Sequence, residues 1–203
     1  MGIYATKSKW QYGLRGIVAF CVRQQIHPDV LTFGALALSL MASFAFIAAD
    51  TNRAWLWLVP PCLILRLICN LLDGQVARAQ KLANAWGEAK NEFGDRVADA
   101  AIFLGLGFGG YADARLAALS IVLILCVSYL GILSKAIGGA RIYTGVFGKG
   151  DRMISLALFT LWIATGPALE NFDWYILFTI FASLVTIVQR LKVIYDDCTK
   201  SDS

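Results

Sequence analysis

The sequence predicts an all-α integral membrane protein, with six transmembrane helices preceded by an interfacial amphipathic helix. Three observations carry that prediction. Hydrophobic residues make up 58% of the 203 and charged residues only 16%, with a mean hydropathy of +0.63, outside the range of an ordinary soluble domain. Two runs, "VLTFGALALSLMASFAFIAA" at 30–49 and "LAALSIVLILCVSYLGILS" at 116–134, are uncharged and long enough to cross roughly 30 Å of hydrocarbon. Lysine and arginine are unevenly distributed around these runs, as the retention of positive charge on the cytoplasmic side requires.

The elements follow in order. Residues 1–27 mix Trp10, Tyr12, Leu14, Ile17, Val18 and Phe20 with Lys7, Lys9, Arg15 and Arg23, which suits a helix lying in the interface; an ordinary cytosolic stub is the alternative. His27 reads as an interfacial polar residue, and Pro28 precedes the first span at 30–49, which is too late and too long for a cleavable signal peptide. The second span lies near 54–78, interrupted by Pro60, Pro61 and Arg66. The third lies near 91–112 and is polar at its start; the fourth is 116–134; the fifth and sixth are 153–169 and 174–189. No polar linker divides the chain, so 1–203 is read as one domain. It comprises the N-terminal interfacial helix (1–27), a six-helix bundle (28–195) and a polar, frayed tail (196–203). "FDWY" at 172–175, with Trp55, Trp57 and Trp162, reads as an aromatic belt. The five cysteines lack close metal-type spacing and read as reduced packing residues.

Fifteen of the eighteen lysines and arginines fall on the side of the two chain ends, Arg53 and Arg115 fall on the other, and Arg66 lies within a span. Both termini are therefore expected in the cytoplasm of an inner or cytoplasmic membrane, in agreement with an even number of spans. This bias and attraction to anionic membrane lipids account for the net charge of +4, with no nucleic-acid partner required.

The informative stretch is 70–99. Asn70, Asp73 and Ala77 are spaced i, i+3, i+7 and share one helix face, with Arg66 a turn earlier; Asn91, Asp95 and Asp99 are spaced i, i+4, i+8 and share a face of the next helix. An ionisable group in a spanning segment is expensive, so each is a functional candidate. Carboxylates gathered at one end of two helices suit the oxygen-loving cations Mg²⁺ and Mn²⁺, and no histidine or cysteine set suits zinc. Two such ions about 3.5–4 Å apart neutralise and orient a diphosphate while a carboxylate takes a proton from an attacking alcohol. For Asp99 the alternative is a salt bridge tying the helices together, with Asp95–Arg96 and Arg78 in the same role.

"DGQVAR" at 73–78, followed after eight residues by Gly87, a polar residue at 91 and Asp95, resembles the signature of the CDP-alcohol phosphatidyltransferases, D-x2-D-G-x2-A-R, eight residues, G-x3-D-x3-D. The chain departs from it at two of the four acidic positions, where Asn70 and Asn91 stand, and resembles a divergent bacterial-type subgroup. The resemblance implies a phospholipid-synthesising, metal-dependent transferase that moves a phosphatidyl group from CDP-diacylglycerol to an alcohol and releases CMP. It implies two Mg²⁺ or Mn²⁺ ions among Asn70, Asp73, Asn91, Asp95 and Asp99, with Asp95 or Asp99 as the base. Gly74, Ala77, Arg78 and Gly87 match the positions that accommodate the CDP moiety, the active site is expected on the cytoplasmic side, and a homodimer is implied. A register that makes Asp95 and Asp99 the final pair would add four residues before the glycine and put Asn91 there.

"GGARIYTGVFGKGDR" at 138–152 places Arg141, Lys149 and Arg152 on the same side. These three are candidates for an anionic acceptor headgroup, such as the phosphate of a phosphorylated polyol; simple positive-inside charge explains them equally well. Two other functions stay open: a catalytically impaired member that binds CDP-lipid or nucleotide without turnover, and an ion transporter using Arg66, Asp73 and Asp95.

Overall fold

A computed structural model describes residues 13–166 and 172–201; Lys7, Lys9, Trp10 and Tyr12 of the expected interfacial helix lie outside them. A short helix, α1 (Arg15–Arg23), buries Cys21 and leaves Ile17 and Phe20 exposed. Six longer helices follow: α2 (Pro28–Ala48), α3 (Val59–Ala79), α4 (Ala85–Phe108), α5 (Ala114–Ala136), α6 (Lys149–Thr165) and α7 (Asp173–Ser201).

Their ends are set by local chemistry. Pro28 occupies the first turn of α2, where its missing N–H costs nothing, and His27 caps it by accepting from the Asp29 N–H through Nδ1 at 3.2 Å. Pro60 and Pro61 stand likewise in the first turn of α3, so they start that helix rather than interrupt it. Between α3 and α4 the chain reverses within five residues: Leu82 N–H donates to the Ala77 carbonyl at 2.8 Å, and Lys81 takes a positive φ of 58°. Asn84 then caps α4, its Oδ1 accepting from Gly87 N–H at 2.8 Å. This cap starts α4 earlier than the apolar pattern indicated, because the polar first turns line a cavity rather than hydrocarbon. Asp113 caps α5, and the Gly148 N–H donates to Asp151 at the start of α6. At the other end of the chain, the expected frayed tail is helical through Ser201.

In the bundle α2 packs on α3 and α4, α4 on α5, α5 on α7, and α3 on α6. The core is built from fully buried residues such as Phe46, Leu63, Ile102, Phe103, Leu106 and Leu156. Close approach of α2 and α4 requires Gly105, where a Cβ would lie 2.5 Å from the Ser43 carbonyl oxygen. Phe172 and Tyr175 correct the expected aromatic belt. Both are buried, Phe172 edge-on to Phe46, Tyr111 and Phe159, whereas Trp55, Trp57, Trp162 and Trp174 are exposed as a belt requires.

The outer surface carries Phe33, Phe44, Val122, Phe181 and Val188, all more than half exposed, an apolar coat suited to lipid. Four helical stretches, 28–48, 53–79, 114–136 and 173–199, are long and apolar enough to cross a membrane. The protein is an integral membrane protein.

Candidate active site

The tight turn at 80–84 aims the last two turns of α3 and the first three of α4 at one space. Together with the near ends of α2, α5, α6 and α7 they enclose a cavity of about 670 Å³ at one end of the bundle, a size that suits a nucleotide-like ligand. Asn70, Asp73, Gly74, Ala77, Arg78, Gly87, Asn91 and Asp95 all line it, as do Arg141, Lys149 and Arg152. Every candidate site residue but one is brought together.

The exception is Asp99. It is fully buried below the cavity and outside its lining, with Oδ1 accepting from Arg66 Nη2 at 2.6 Å and Oδ2 from Arg152 Nη2 at 2.9 Å. Both oxygens are paired with guanidinium groups, which puts Asp99 at the centre of a buried ion triad joining α3, α4 and α6 rather than with the other expected site residues. The salt-bridge alternative was right in kind, with Arg66 and Arg152 as its partners.

Five carboxylates line the cavity, and four are held by cations. Asp29 pairs with Lys90 at 2.5 Å, Glu88 with Lys135 at 2.6 Å, Glu92 with Arg141, and Asp95 with Lys149. Lys149 therefore leans toward the signature carboxylates rather than standing free for an acceptor. Asp73 is the fifth. Its Oδ1 accepts from Gly74 N–H at 2.5 Å and its Oδ2 from Thr32 Oγ1 at 3.3 Å, and no lysine or arginine among the described residues is within 4.0 Å of it.

Two hard carboxylates, one without a cationic partner, fit a divalent cation of the Mg²⁺ or Mn²⁺ type. They fall short of the four acidic positions of the family signature, and no group of three or more His, Cys, Asp or Glu side chains among the described residues is arranged to hold a metal. Asn91 Oδ1 and Asn70 Nδ2 are buried without hydrogen-bond partners, so both amides retain capacity for a ligand or water.

At the opposite wall Arg152 keeps Nε and Nη1 buried and unpartnered, while Arg141 is held by Glu92 and lies 4.9 Å from the Tyr143 ring centre. Sequence reasoning assigned Arg190 only to positive-inside charge, yet it enters the cavity from α7, donating through Nε to the Thr144 carbonyl at 2.9 Å and through Nη1 to the Val127 carbonyl at 2.5 Å. Gly131 makes room for it, since a Cβ there would lie 2.8 Å from Arg190 Nη1. Thr32, beside Asp73, was also missed; a lone threonine in an apolar run gives no signal. The loop between α5 and α6 is pinned to α7, with Val146 N–H donating to Gln189 Oε1 at 3.0 Å and Phe147 N–H to Thr186 Oγ1 at 3.1 Å.

Comparison with known proteins agrees with this geometry. Residues 25–189 match the family model described as CDP-alcohol phosphatidyltransferase. The inner membrane protein YnbA of Escherichia coli is 30% identical over 187 residues, covering 92% of both chains, and the phosphatidylinositol phosphate synthase of Cutibacterium acnes is 25% identical over 207 residues, covering 95% of this chain and 97% of that one. The fold matches crystal structures of the Mycobacterium tuberculosis phosphatidylinositol phosphate synthase. One, in complex with manganese and citrate, has a TM-score of 0.70 at 20% identity and covers 89% of this chain and 88% of the other; another, with CDP-DAG bound, has a TM-score of 0.69. The chain belongs to the CDP-alcohol phosphatidyltransferase family and is a membrane transferase of phospholipid biosynthesis.

Proposed function

We propose that the protein transfers a phosphatidyl group from CDP-diacylglycerol to a phosphorylated polyol at the cytoplasmic face of the inner membrane, releasing CMP. The observation that carries this reading is the convergence of the signature residues of α3 and α4 on one cavity whose far wall is cationic. Relatives that are phosphatidylinositol phosphate synthases support an inositol phosphate as the first acceptor to try.

The parts divide the work by position. Arg78, whose guanidinium makes no ion pair or hydrogen bond among the described residues, is suited to the donor's diphosphate oxygens as a fixed fork, with Gly74, Ala77 and Gly87 leaving room for the CDP moiety. Asp73 and Asp95, flanked by the Asn70 and Asn91 amides, would hold a divalent cation, which when bound neutralises diphosphate charge and polarises the phosphoryl group. Asp95 is the base: it accepts the acceptor hydroxyl's proton as that oxygen bonds to the phosphatidyl phosphorus and the bond from phosphorus to the CMP oxygen breaks. Arg152, through its two unspent nitrogens, and Arg190 suit the acceptor's phosphate, with Arg141 and Lys149 adjusting the field around it. Apolar outer helix faces would keep the acyl chains in the bilayer.

The same proposal includes six spans, with α4 and α6 packed among the four more apolar ones, α1 lying in the interface, both termini in the cytoplasm and a homodimeric assembly. The cavity end carries Arg78, Lys81, Lys90, Lys135 and Lys149, and the other end Arg53 and Arg115, which supports that orientation. An ion transporter is disfavoured: below the cavity, the one buried carboxylate, Asp99, is held by both Arg66 and Arg152 and is not free to relay an ion.

The test is CMP release by the purified protein from CDP-diacylglycerol with Mg²⁺ or Mn²⁺ and a panel of alcohols including inositol phosphate. Release with one phosphorylated acceptor is expected. Tight binding of CDP-diacylglycerol with no release from any acceptor would support instead a binding protein disabled by Asn70 and Asn91.

A further inference from the structure

On the transferase reading above, we infer that the site holds one divalent cation per chain, and that the Lys149 ammonium supplies at Asp95 the positive charge that a second cation would otherwise supply. Charge sets the first limit. Four carboxylates balance two divalent ions, whereas Asn70 and Asn91 leave only Asp73 and Asp95, a charge of −2 that one divalent ion and the Lys149 ammonium together already exceed. The sequence-based expectation of two ions therefore exceeds what the signature residues neutralise.

Geometry sets the second. Lys149 Nζ is ion-paired with Asp95 Oδ1, the two side chains being only 13% and 12% exposed. The lysine is the first residue of α6, whose start is fixed by the Gly148–Asp151 cap and by the hydrogen bonds of the preceding loop to α7. It is thus delivered to Asp95 by a braced helix end rather than by a loose surface loop.

The space between the two asparagines supplies the third observation. A void of about 10 Å³ there is bounded by Thr32, Asn70, Asn91, Asp95 and Arg66, room for a single water. Three of the buried polar atoms without partners belong to its walls: the donors Asn70 Nδ2 and Arg66 Nε, and the acceptor Asn91 Oδ1. One water placed there would accept from the two donors and donate a hydrogen bond to the acceptor. A second divalent cation there would face the Asn70 amide N–H and the Arg66 guanidinium, both of the wrong sign, with Asn91 Oδ1 as the one partnerless acceptor. Asp73, with no cationic partner, is left as the principal anchor of the single ion.

The experiment is a Mn²⁺ titration of the purified full chain in detergent micelles, with free Mn²⁺ read by its paramagnetic resonance signal, with and without CDP-diacylglycerol. One ion per chain is expected in both conditions. Lys149→Met is expected to tighten Mn²⁺ binding several-fold by releasing Asp95, and the triple variant Asn70→Asp, Asn91→Asp, Lys149→Met to take two ions. Two ions in the unaltered chain, none at all, or a Lys149→Met affinity equal to the parent's would each overturn the inference. Should the triple variant not fold, as judged by size-exclusion elution and helicity, the unaltered chain and Lys149→Met still decide. CMP release measured on the same sample judges the transferase reading separately: release with two ions bound leaves the transferase standing and removes only the lysine substitution.

Discussion

The two ends of the bundle are closed by different chemistry. At the cavity end the helices are tied by side-chain charges, with Lys90 to Asp29, Lys135 to Glu88, Arg141 to Glu92 and Lys149 to Asp95. At the far end they are tied by packed rings and backbone groups. Phe172 N–H donates to the Tyr111 carbonyl at 2.6 Å, Tyr111 Oη–H to the Ala49 carbonyl at 2.8 Å, and Asp113 N–H to Asp173 at 2.7 Å. Charges can exchange a protein partner for a ligand's phosphate or a metal ion at modest cost, whereas a ring in a packed core has no substitute. On the proposed function, the cavity end can exchange its ion pairs for substrate contacts while the far end holds the helices at fixed spacing.

The sharpest way to break this contrast is at Asp95. Asp95→Asn is expected to lower CMP release by about 10²–10⁴-fold, the usual contribution of a general base, with a smaller change in thermal unfolding than a core substitution brings. Asp99→Ala is expected to act chiefly on stability. It leaves Arg66 and Arg152 buried without their shared carboxylate, and removing one partner of such an assembly costs about 3–5 kcal/mol. Thermal unfolding in detergent would show a large loss for Asp99→Ala and a small one for Asp95→Asn; equal losses would mean that the two aspartates do not differ in kind.

The sequence distinguishes these two aspartates poorly, and the reason is physical. Asp95 and Asp99 are one turn apart on one face of α4, and helical spacing says only that they point the same way. What separates them is depth, and depth depends on Arg66 arriving from α3 and Arg152 from α6, contacts between residues 33 and 53 positions away in the chain. The signature on α3 and α4 was legible because both halves are short-range patterns joined by a tight turn. Six long helices were legible because hydrophobic length is a local property. Arg190 was not, since a cation at the end of a span looks the same whether it snorkels to the interface or turns inward over Gly131. Phe172 and Tyr175 were misjudged for a related reason, because an aromatic near a helix end suits a belt and a core equally well.

At the far end Phe172→Ala is the matching test. It removes a fully buried ring that touches three other aromatics, and a loss of about 3 kcal/mol is expected, with KM for donor and acceptor unchanged. A raised acceptor KM would show that the far end tunes the cavity as well as bracing it. Gly131→Ala acts in the opposite sense. The added methyl would press on Arg190 Nη1 and on the Ile142 carbonyl oxygen, so a several-fold rise in acceptor KM is expected with little change in donor KM, alongside a lowered unfolding temperature.

The smallest effect is expected at the rim. Lys135 and Glu88 are paired at 2.6 Å, but both side chains are about half exposed, and exposed pairs contribute about 0–1 kcal/mol because water and salt screen them. Lys135→Ala should therefore shift unfolding by no more than about 1 kcal/mol, with the shift vanishing as ionic strength rises. The Asp99 triad should resist salt, because all three of its side chains are almost fully buried. Comparing Lys135→Ala and Asp99→Ala at low and high salt thus separates charge pairs that close the rim from those that hold the bundle. A salt-sensitive Asp99→Ala effect would mean that water and ions reach the floor of the cavity.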